Sequence, residues 1–239
     1  VEIPRTEVLR YLGYTGKSID PYTDQLIDEC LREIREISNP KHKIGVYDLE
    51  FQPDGIYVQN TTLILDGQDI ANHLQYANKC ALMAVTLGIQ VDKRIKFYNL
   101  TNLTKAVILD ACATAYVETV CDQVESKLRT LAQQDDMQIT FRFSPGYGDL
   151  PIEMQNDLLQ VLNAPITIGL TATPEHILLP LKSVTAIIGF GILPENLLPT
   201  KRKTQKDAIN NEKCKTCLNY RHCIYLQEGK YCEYRKRNP

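Results

Sequence analysis

The stretch QITFRFSPGYGDLPIEMQ, residues 138–155, decides the reading of this chain. It runs from an alternating, strand-like segment into Ser-Pro-Gly-Tyr-Gly and then into a short amphipathic segment. Pro145-Gly146 alone predicts a turn between a strand and a helix. The residue types allow more. Gly146 and Gly148 let another molecule approach the main chain and accept positive φ. Arg142 offers a donor fork suited to a carboxylate. Tyr147 offers a ring face for an adenine or a sulfonium cation. Asp149 is placed to cap the helix that follows. The ordinary turn, with Arg142 solvated, stands beside this reading.

Outward from the motif, the pattern mixes helix and strand. Apolar residues at 26, 27, 30, 31, 34 and 37 form one helical face over 24–37. Residues 51–67 predict two short strands around Asn60-Thr61. Residues 70–87, rich in Ala and apolar on several sides, predict a buried helix stopped by Gly88. Residues 103–133 contain neither Pro nor Gly and predict one long helix. DMQITFRF (136–143) predicts a strand, IEMQNDLLQVL (152–162) a helix, and APITIGLT (164–171) and SVTAIIGF (183–190) two more strands. The expected class is α+β, with an antiparallel or mixed sheet.

The chain has 239 residues and a formal charge of −2. Residues 201–239 carry 11 Lys and Arg against 4 Asp and Glu, or +7; the remainder carries 16 against 25, or −9. This asymmetry divides the chain into a body, 1–200, and a basic Cys-rich tail, 201–239. No apolar run approaches the ~18 residues of a membrane span, and the first residues lack a signal-peptide core. The expected location is therefore cytoplasmic, where structural disulfides are rare.

Arg-x-x-Pro-Gly-Tyr at 142–147, followed by Pro151 and a helix, resembles the S-adenosylmethionine-binding motif of the reactivation domain of cobalamin-dependent methionine synthase. LDACATAYVETVCDQVE (109–125) resembles the long helix before that motif. LLPLKSVTAIIGF (178–190) resembles the Pro-x-x-Ser-Val strand after it. EVLRYLGY, near the N-terminus, resembles free-standing bacterial versions of the domain. The likeness spans about residues 1–195. It implies a single α+β domain with a twisted antiparallel sheet and flanking helices.

The resemblance further implies an accessory protein that presents S-adenosylmethionine to an oxidised corrinoid. One electron plus the methyl donor then restores methylcobalamin. If the chain is itself catalytic, it is a methyltransferase component. By position, Arg142, Ser144, Gly146 and Tyr147 are the implied methyl-donor contacts. Glu118, on the long helix, is the implied acid facing the corrin, and Asp136 aligns with another acidic position. Ser144 replaces the family's Ala, Gly148 replaces its Pro after the Tyr, and TAIIGF replaces its aromatic strand. The cobalamin-binding D-x-H-x-x-G pattern is absent, so cobalamin comes only through a partner: a corrinoid methyltransferase or a split methionine synthase.

In the tail, Cys214, Cys217, Cys223 and Cys232 fall within 19 residues. A C-x2-C pair plus two nearby thiolates can complete a zinc or a 4Fe–4S site. The resemblance does not extend to this tail. Reactivation chemistry favours iron–sulfur, and a basic surface suits an acidic electron donor such as flavodoxin or ferredoxin. The alternative is a binding module whose zinc-knuckle tail contacts nucleic acid or a protein. Cys30, Cys80, Cys112 and Cys121 read as buried thiols on helix faces.

Overall fold

The computed structural model describes residues 2–14, 19–192 and 194. Fifteen elements occur among them. In chain order they begin with α1 (Arg5–Tyr11), α2 (Pro21–Ile37), β1 (Lys41–Gln52), β2 (Gly55–Val58), β3 (Ile64–Leu65), α3 (Gln68–Leu74) and β4 (Ala77–Thr86). There follow α4 (Ile89–Thr101), α5 (Leu103–Gln134), β5 (Gln138–Ile139), α6 (Met154–Val161), α7 (Ala164–Thr167), β6 (Thr171–Ala172), β7 (Leu178–Leu179) and β8 (Ser183–Gly191). Six strands form one antiparallel sheet in the order β3-β2-β1-β4-β8-β5. β6 and β7 make a separate two-stranded ladder. This is the α+β architecture expected from the sequence.

The central pair β4 and β8 is covered on both faces. Ala81, Met83 and Val85, with Ala186, Ile188 and Phe190, enter a core shared with α1, α2 and α5. The alternate residues Cys80, Leu82, Ala84 and Ile187 enter a second core with α3, α6 and α7. Period-2 alternation thus delivers apolar side chains to both layers. For this reason residues 77–86 form a strand where the sequence predicts a helix. Ala, Leu and Met favour helices intrinsically, but a strand buried on both faces shows no polar alternation. Only 68–74 is helical there, and Cys80 lies on a strand.

Two other expectations change. Residues 164–167 are a helical turn with Pro165 in its first turn and Asn163 left-handed before it, so 164–171 is not one strand. Strand β1 and helix α4 had no counterpart in the sequence reading. In α4 only Val91 is buried, while Phe97 and Leu100 face outward, which blurs the helical periodicity.

The long helix is where the sequence places it. Asn102 caps α5 by accepting the Lys105 N–H at 3.0 Å. Its buried stripe runs from Ala106 through Leu109, Cys112, Tyr116, Val120 and Val124 to Ala132. The thiols of Cys30, Cys80, Cys112 and Cys121 are buried, and burial pushes each up to about 12. They are inert packing groups, as expected.

β8 comes close enough to the chain before β4 that a Cβ on Gly191 would lie 1.8 Å from the Tyr76 carbonyl oxygen. Beside this contact, His73 packs against Phe141 and Phe143, with ring centroids 4.5 and 5.0 Å away. Its Nε2 lies 2.8 Å from the Thr140 hydroxyl, which accepts the Gly189 N–H. Burial pushes the His73 pKa down to about 4. The folded state therefore binds fewer protons than the unfolded state between that value and the usual ~6.5. Stability from neutral His73 is complete above pH ~6.5 and falls by roughly 3 kcal/mol as pH drops towards 4. Denaturant titrations across this window should show the loss, and His73→Gln should flatten it; an unchanged slope in the variant would assign the effect elsewhere.

Candidate functional site

The 142–149 loop is built from two successive turns locked to the sheet. Phe143 exchanges backbone hydrogen bonds with Ile187, at 2.9 and 2.7 Å. The Ser144 hydroxyl donates to the Thr185 carbonyl at 2.8 Å. The Thr185 hydroxyl in turn donates to Gln155 of α6 inside the core. The first turn closes where the Tyr147 N–H meets the Ser144 carbonyl at 3.0 Å, with Pro145 and Gly146 between them. Gly146 has φ +87°, the positive value that the third residue of a type II turn requires. A second turn closes from the Leu150 N–H to the Tyr147 carbonyl, and the Gly146 N–H reaches the Leu150 carbonyl.

Gly148 meets a tighter constraint. Its φ is +53°, and a Cβ there would lie 2.1 Å from an Asp69 carboxylate oxygen. The loop is pressed against the start of α3. Asp149, expected to cap the following helix, instead caps α3: its carboxylate accepts the Gln68 N–H at 2.6 Å and the Asp69 N–H at 3.1 Å. Sequence proximity suggested the wrong helix, because the partner lies about 80 residues upstream.

Arg142 points to the other layer. Its Nη2 lies 3.1 Å from Glu118 and 3.0 Å from Asp122, and its Nε lies 3.7 Å from Glu125. Those acids and Arg129 recur every three or four residues along α5, so they share one stripe. Arg129 pairs with Glu125 at 2.7 Å. The Arg142 side chain is only 21% exposed, and its Nη1 is buried without a hydrogen-bond partner among the described residues. Such a donor is costly unless another group reaches it.

The structure therefore brings Arg142 and Glu118 into one ion-paired cluster. It also holds Ser144, Gly146 and Tyr147 in one loop. Tyr147 packs edge-on to Phe143 at 6.1 Å, in the core opposite α5. Arg142 and the Tyr147 ring thus face different layers. Asp122, Glu125, Gln155 and Thr185 were not singled out in the sequence; the i, i+4 spacing of Glu118 and Asp122 was the available signal for the first of them. Asp136 occupies a left-handed turn, φ +54°, after α5. Cys214, Cys217, Cys223 and Cys232, and the boundary at 200/201, lie outside the described residues. Among the described residues no group of His, Cys, Asp or Glu is disposed to hold a metal, and no helix is long and apolar enough to cross a membrane.

No protein-family profile and no curated protein matches the sequence. Among solved structures, the chain is similar to the MetH reactivation domain bound to AdoHcy. The TM-score is 0.60 at 12% identity, over 87% of this chain and 79% of the other. The two share a fold.

Asp149→Ala should remove both acceptors at the start of α3 and cost about 1 kcal/mol, the scale of a lost N-cap. Urea unfolding would measure it. A change within error would mean that the loop, not its carboxylate, holds α3.

Proposed function

We propose that this chain is an accessory protein for the reductive reactivation of cobalamin carried by a separate methionine synthase or corrinoid methyltransferase. In this reading it binds S-adenosylmethionine beside the 142–149 loop. The observation that carries it is the coincidence of two independent likenesses. The chain has the fold of the MetH reactivation domain, a structure solved with AdoHcy, and it places Arg-x-x-Pro-Gly-Tyr on a loop locked to β8.

Each residue has a task in this reading. Arg142 offers its guanidinium to the ligand carboxylate, and its Nη1 has no hydrogen-bond partner among the described residues. The rigid Ser144–Gly146 backbone positions the ligand, and rigidity limits the ordering cost of binding. Tyr147 borders the far side of the loop. Glu118, a third exposed on the α5 stripe, faces the partner's corrinoid once the two proteins dock. S-adenosylmethionine supplies the methyl group, and an electron donor such as flavodoxin or ferredoxin supplies the electron. The tail cysteines Cys214, Cys217, Cys223 and Cys232 are proposed to hold one 4Fe–4S or zinc centre.

Arg142→Ala should weaken S-adenosylmethionine binding by roughly 1.5–3 kcal/mol, the range for a hydrogen bond to a charged group. Calorimetry on the purified chain would read it. Absence of wild-type binding at millimolar ligand would end the methyl-donor role.

A further inference from the structure

Strand β1 is paired along only part of its second edge. On one side residues 41–48 are matched to β4, with Gly45 opposite Leu82 and Tyr47 opposite Cys80. On the other side β2 covers only Leu49 to Gln52. The Asp48 carbonyl accepts the Gln59 N–H at 2.9 Å, so the even-numbered residues of β1 point their backbone groups away from β4. His42, Ile44 and Val46 therefore present their N–H and C=O groups on an open edge. None of these groups has a partner among the described residues.

Such an edge is a template for another strand. Its own pattern selects a second copy. Lys41, His42 and Lys43 open the segment, Asp48 closes it, and Ile44, Gly45 and Val46 lie between. An antiparallel copy sets the basic end of one strand against the acidic end of the other, whereas a parallel copy sets like charges side by side. In the antiparallel arrangement centred on Ile44, that side chain meets the second copy's Ile44. His42 meets Val46 and has Asp48 as its diagonal neighbour. Val46 is 41% exposed and Ile44 is half-buried against the core under α2 and α5, so both gain apolar cover. The length fits as well. Past Val46 the edge is taken by Gln59, and before Lys41 stands Pro40, which has no N–H to donate.

We propose that two copies of this chain pair antiparallel through residues 42–46 of β1, about a two-fold axis at Ile44, and so join their sheets into one. The free N–H and C=O groups of each copy satisfy those of the other. The contact is small, below the ~1,200 Å² of a stable interface, so the dimer is weak and concentration-dependent. The edge lies on the far side of β4 from β8, the strand that anchors the 142–149 loop. Pairing and ligand binding thus use different parts of the sheet, and the proposal stands apart from the methyl-donor reading.

The test is sedimentation of the full chain from about 5 µM to about 1 mM, a range that brackets a weak interface, with amide hydrogen exchange at both ends. A reductant keeps cysteines from cross-linking the copies. Wild type should pass from monomer to dimer with a dissociation constant on the order of 100 µM. The amides of His42, Ile44 and Val46 should exchange more slowly as the dimer forms. Those of Lys43, Gly45 and Tyr47, which face β4, should be slow at every concentration. Val46→Pro removes an outward N–H and no bond to β4, and should weaken the dimer by about tenfold or more. Val46→Lys keeps the backbone but sets a cation opposite His42, which already lies near Lys127, and should weaken the dimer similarly. Thermal unfolding at low concentration shows which variants are folded; if the proline variant is not, the lysine variant decides. A monomer throughout the range, or a dimer whose affinity the folded variants leave unchanged, would overturn the pairing. So would exchange at 42, 44 and 46 that does not slow with concentration.

Discussion

The structure depends on covering both faces of β4 and β8. A strand pair buried on two sides must be apolar along its whole length, and each face needs its own layer. Helix α5 supplies the larger cover, with help from α1 and α2. Helices α3, α6 and α7, with the 142–149 loop, supply the other. Each buried methylene contributes about 0.8 kcal/mol, so these two layers outweigh any single polar contact in the fold. The loop is thus part of the lid of a core. Its conformation is fixed by β8, α3 and α6 rather than left to a ligand.

That placement sets the electrostatics of the site. Phe143 turns into one core, so its neighbour Arg142 turns towards α5. A guanidinium held largely out of water needs carboxylates, and α5 provides a stripe of them. Tyr147 is carried by the loop to the opposite layer. The implied methyl-donor contacts therefore fall in two parts of the structure. One is an ion-paired guanidinium on the α5 side. The other is a rigid double turn on the α3 side.

Local patterns made much of this legible. Helix α5 follows from a long run without Gly or Pro and a clear apolar stripe. Helices α2 and α6, the β2–β3 hairpin around Asn60 and the strand β8 were also visible. Strand β4 was not, because its two-sided burial removes the alternation that marks a strand, and its Ala, Leu and Met residues suit a helix. Helix α4 was missed because its large apolar residues face outward. At the site, the turn glycines were readable from the motif itself. The partners of Arg142 and Asp149 were not. They lie 17 to 24 and about 80 residues away, and only the tertiary fold brings them together.

The most direct measurement of the central claim is a crystal structure of this chain with S-adenosylmethionine bound. The account predicts the ligand carboxylate within hydrogen-bonding distance of Arg142, and the ligand lying along the Ser144–Gly148 backbone. Well-ordered ligand bound elsewhere, with Arg142 still engaged only by its α5 acids, would contradict it.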